Sequence, residues 1–183
     1  MDGQRPQGRT TEMSSDLPAQ GLVSGPSVDD VQAGTDFSAF RRLLTEPGAV
    51  ALFDYWCRLV SEHGSTIKPY FDPVEIPVAL PSIYLEEFDV EHKQSRMRLM
   101  GETLKAQWSG SVVGLLTDDY VTGSVNALWK QSDRLVYFEK RATILVYSLE
   151  YIDRSHCTLI DLALPMDDKD GRLFAIGYAW QRR

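Results

Sequence analysis

The chain has 183 residues, 26 of them acidic and 19 basic, for a net charge of −7. That length suits one domain with a tail, and the acidity is a poor match for a phosphate backbone, so nucleic acid is excluded as a non-specific partner. Two cysteines, Cys57 and Cys157, rule out a disulfide framework and a four-thiolate zinc site.

Residues 1–36 contain no aromatic residue and are rich in glycine and proline. Such a segment buries too little apolar surface to offset its ordering entropy, so it is predicted to be a disordered tail. It lacks the apolar core of a signal peptide. No apolar run approaches the ~18 residues of a membrane span. The expected compartment is the cytoplasm.

Residues 37–66 read as a helical cap. Asp36 is placed to cap a short first helix, and Pro47 to open a second, where its missing N–H costs nothing. Ala49, Leu52, Phe53, Trp56, Leu59 and Val60 then share one face. Asp54 and Arg58 stand at i, i+4 on the other, and Gly64 ends the helix. The stripe of Leu52, Phe53, Trp56, Leu59 and Val60 must cover something: the sheet of its own domain, or the same helix of a second copy.

Residues 67–183 read as the body. Asp72, Pro73 and Glu75 form a compact capping box. Pro81 leads into a strand, Ile83 to Asp89, and "EHKQ" turns into a second, Ser95 to Leu99. Gly101 then starts a short helix with Met100, Leu104 and Trp108 at helical spacing. Trp108 is expected to close over Met97 and Leu99. A further helix is predicted near Tyr120 to Ser132. Three strands end the chain: "RATILVYSLEYI", "HCTLIDLALP" and "RLFAIGYAW", the last two joined by a turn at Asp170-Gly171. Their middle stretches are apolar on both faces, so the sheet should be covered on both sides.

Signatures of catalysis are missing: no phosphate loop, no GxGxxG, HExxH, GxSxG or CxxC. "MDDKDG" superficially matches a calcium loop, but Gly177 stands where the bidentate carboxylate belongs. His63, His92 and His156 have no second ligand at metal spacing. Glu86, Glu87, Asp89 and Glu91 read as a solvated edge. Asp161, mid-strand among apolar neighbours, needs a partner; Arg141 and Arg172 on adjacent strands are the candidates. Met97, Leu99, Trp108, Trp129, Tyr147, Asp161 and Tyr178 are the residues that would line a ligand pocket between sheet and short helices, if one exists.

The order strand, strand, short helices, three strands, preceded by a capping helix, resembles a PAS domain. "LFDYWCRLV", "FDPVEIPVALPSIYLEEFD" and "RMRLMGETL" are similar to a family of small single-PAS proteins of alphaproteobacteria. Trp56, Leu59, Asp72, Pro73, Ile76, Pro77, Leu80, Pro81, Ile83 and Gly101 occupy the matching positions, and "LALPMDDKDGRLFAIGYAW" resembles the closing hairpin. Glu102 departs from the family's Gly-Thr turn. The resemblance covers residues 47–183. It implies an α+β fold, a PAS-like five-stranded antiparallel sheet with short helices on one face and an N-terminal amphipathic helix. It also implies a non-catalytic, stand-alone signalling protein that dimerises and contacts a protein partner, with a small apolar ligand as a candidate gate and no assignable cofactor. The alternative is a small-molecule carrier or enzyme on a cone-shaped α+β fold, using Asp161 and Arg141.

Overall fold

A computed structural model describes residues 17–108, 110–149 and 154–182, with backbone alone for 154–156. Residues 1–16 of the expected tail and the side chain of His156 lie outside the described residues.

The centre is a six-stranded antiparallel sheet: β1 (Gly21–Ser27), β2 (Ile83–Asp89), β3 (Gln94–Met100), β4 (Arg141–Leu149), β5 (Arg154–Asp167) and β6 (Leu173–Gln181). Their spatial order is β1-β4-β5-β6-β2-β3. Five strands were expected; the sixth comes from the segment read as disordered tail. β1 pairs with β4 from Gly21↔Val146 to Ser27↔Arg141. It needs no aromatic residue because an edge strand is held by its backbone ladder, with Val23 packed against the core. Ser27 then caps helix α1 (Val28–Gln32) in a reciprocal box with Asp30.

Helices α2 (Ser38–Arg42) and α3 (Pro47–His63) complete the layer on one face of the sheet. Pro47 opens α3, and Gly64 ends it with a positive φ of 67°. Leu52, Phe53, Trp56, Leu59 and Val60 are all buried against the sheet of their own chain, so this stripe is not available to a second copy. The Trp56 indole N–H donates to the Pro165 carbonyl on β5 at 2.8 Å. Cap and sheet therefore share one core, formed with Ile144, Val146, Leu162, Leu164, Ile176 and Trp180. Asp54 pairs with Arg41, at 2.6 Å, and not with Arg58. Arg58 reaches Glu75 instead, which leaves Asp72 to cap the following 3₁₀ turn alone.

On the opposite face lie α4 (Glu102–Gln107), α5 (Thr117–Tyr120), α6 (Gly123–Asp133) and a π-helical turn, Arg134–Phe138. Gly123, with φ 64°, separates α5 from α6 where a single helix from Tyr120 was expected. Gly101 sits where a Cβ would lie 2.4 Å from the Pro81 carbonyl oxygen. Close backbone approach, and not a turn conformation, is what demands glycine there.

Candidate functional site

The two faces differ in chemistry. Under α4–α6 the sheet carries polar atoms in its interior. β2 alternates, sending Tyr84 and Glu86 to this face and Ile83 and Leu85 to the other. Glu86 is 3% exposed, so the solvated edge expected for it is wrong. Only Glu87, Asp89 and Glu91 of that acidic run lie towards solvent. Asp161, 2% exposed, projects from the middle of β5 to the same side. Asp133 ends α6 above them.

None of the three carboxyls meets a cation in an ion pair among the described residues. Asp161 accepts from the Tyr84 hydroxyl at 2.6 Å. The expected arginines are engaged elsewhere: Arg141 with the Gly25 carbonyl and Asp30, Arg172 with Asp168. Tyr84 can reach Asp161 only because Gly177 lies between them; a Cβ at Gly177 would fall 2.1 Å from the Tyr84 ring. Glu86 accepts from the Tyr120 hydroxyl of α5 at 3.2 Å. Asp133 accepts from the Ser95 hydroxyl at 3.3 Å, and Ser95 also bonds the Thr117 hydroxyl at 2.7 Å.

A carboxyl out of water without a positive partner resists ionisation. Burial pushes Asp161 up to about 7, against the pull of the Tyr84 and Tyr147 hydroxyls. Burial likewise pushes Asp133 up to about 7, with Ser95 opposing. Glu86 is held well above the usual carboxylate range by burial first and by the neighbouring Asp133 and Asp161 charges second.

These groups surround a void of about 10 Å³, lined by Tyr84, Glu86, Trp129, Asp133 and Asp161 among others. That is room for about one water. The indole N–H of Trp129 has no acceptor among the described residues. Aromatic rings fill the rest of the layer: Trp108 lies 5.4 Å from Tyr120 and 6.1 Å from Trp129, and Trp129 lies 5.9 Å from Tyr147, centre to centre. Among the described residues no group of three His, Cys, Asp or Glu side chains is arranged to hold a metal.

Of the seven expected pocket residues, Met97, Trp108, Trp129, Tyr147 and Asp161 come together here. Leu99 and Tyr178 do not. A β-bulge makes Met97 the partner of Glu86 but Leu99 the partner of Leu85, which moves Leu99 to the α3 face. Trp108 therefore closes over Met97 but not over Leu99. Tyr178 packs beneath the start of α3, beside Gly48. Sequence reasoning missed Asp133 and Glu86. The alternation of "IYLEEFD" carries the signal for Glu86, since it puts that residue on the face of Tyr84; nothing local marks Asp133.

A second concavity lies on the α3 face beyond the helix. It is an apolar groove of about 250 Å³, lined by Phe71, Pro73, Ile83, Leu85, Leu99 and Ile176, with Lys68 at its side. Leu99 is 45% exposed there. It belongs to β3, a terminal strand of the sheet, whose outer edge is met by residues 114–118 over residues 94–97.

Comparison with protein-family models, curated proteins and solved structures finds no match for this chain. No helix among the described residues is long and apolar enough to cross a membrane.

Proposed function

We propose that the chain is a non-catalytic, PAS-like regulatory module that works through protein contact, first of all with a second copy of itself. The order of elements supports the PAS-like reading: a strand hairpin, short helices over one face, then three antiparallel strands. The observation that carries the contact reading is the packing under α4–α6. Four aromatic rings occupy the space where a ligand would sit, and a void for about one water is left. An apolar effector would have to displace that core. The groove around Leu99, next to an edge strand, offers a partner both an apolar seat and backbone groups. The carrier or enzyme reading is less well supported, because Arg141 is far from its expected role beside Asp161 and the void holds no substrate-sized molecule.

Native mass spectrometry of the chain purified from its own host tests this. The expected species is a dimer of bare chains, which Leu99→Asp converts to a monomer with unchanged circular dichroism. A monomeric wild-type chain, or a retained organic molecule, contradicts the reading.

A further inference from the structure

We propose that Glu86, Asp133 and Asp161 form a proton-operated latch: protonated, they hold the α5–α6 layer on the sheet, and ionised, they release it. The proposal rests on where the polar anchors of that layer lie, and it holds whether or not the chain is a regulatory module.

The layer touches the sheet through few polar contacts. α5 is tied by Thr117 to Ser95, by Tyr120 to Glu86 and, at the exposed rim, by the Asp118 N–H to Gln94 Oε1. α6 is tied by Asp133 to the same Ser95 and by Ser132 to Thr143 at 2.7 Å. Two of these five ties therefore end on a buried carboxyl, and a third shares Ser95 with one. Asp161 stands beside them across the void, already bonded to Tyr84.

Among the described residues, the charged and titratable groups facing this cluster come from both the sheet and the helices above it. β2 contributes Tyr84 and Glu86, α5 Tyr120, the π-helical turn Tyr137, β4 Tyr147 and β5 Asp161. α6 contributes Asp133 and Lys130. Among the described residues Lys130 is the one cation acting on the cluster, and its side chain, 55% exposed, is engaged with Asp118 at 3.0 Å on the outer surface. Ionisation thus places up to three like charges around one small void, with neutral phenols and hydroxyls as their nearest company. Repulsion and the need for hydration both favour separating the layers.

The sign follows from linkage. Asp133 and Asp161 are raised from an ordinary 3.8 to about 7 in the folded chain. The folded state then holds more protons than the unfolded one across that interval. Stability is complete below about 4 and is lost as pH rises through about 7. The aromatic cluster of Trp108, Tyr120 and Trp129 is what opening exposes.

Hydrogen–deuterium exchange on the full chain, at pH 6 and pH 8.5 and corrected for chemical exchange, reads this directly. Protection over residues 117–133 should fall at least tenfold at the higher pH, while α3 on the opposite face keeps its protection. Glu86→Gln with Asp133→Asn should shrink the difference to the part that Asp161 alone contributes. Equal protection at both pH values in the wild-type chain overturns the proposal. So does a loss spread evenly over α3 and residues 117–133, or a variant that loses protection as the wild type does. The wild-type arm decides alone if the double variant does not fold.

Discussion

The two faces of one sheet obey different rules. The α3 face is apolar at its centre: Trp56, Phe53 and Leu52 are fully buried against Ile144, Leu162 and Leu164, and the one polar atom of Trp56 is paired. The α4–α6 face is equally buried, but it holds three carboxyls, several hydroxyls and a void. An apolar face gains stability from packing at any pH. A polar interior is stable only while each group is neutral or partnered. The difference locates stability on one side and sensitivity on the other.

The strongest way to break that contrast is Trp56→Ala. It opens a cavity on the apolar face and leaves the Pro165 carbonyl without its donor. A cost of about 3–5 kcal/mol is expected in urea unfolding, equal at pH 6 and pH 8. A pH-dependent cost would mean that the faces are not separate. Gly177→Ala sharpens the contrast from the other side. The new Cβ must displace the Tyr84 ring and weaken its bond to Asp161. About 1–3 kcal/mol is expected, and the loss should grow as pH rises. Unchanged stability would show that Tyr84 does not depend on the open path over Gly177.

The apolar face was also the legible one. The stripe from Ala49 to Val60, the proline and glycine bounding α3, and the limits of β2 at Ile83 and Asp89 follow from periodicity and local chain stereochemistry. So do the two apolar faces of the terminal strands. What was not legible depends on tertiary neighbours. The bulge in β3 reads in "SRMRLM" as unbroken alternation, so Leu99 was put on the wrong face. A strand residue's partner depends on which strand lies beside it, so Asp161 was given arginines that point elsewhere. Asp133 looks like an ordinary helix-end acid until the sheet is placed beneath it. β1 was hidden by averaging composition over a whole segment.

The central claim is that this sheet carries protonated carboxyls under one layer of helices. Carbon-13 NMR titration of the side-chain carboxyls of Glu86, Asp133 and Asp161 in the folded wild-type chain tests it most directly. Asp133 and Asp161 should titrate near 7, with Glu86 also well above the ordinary range. Midpoints near those of exposed carboxyls, about 4, would contradict the account.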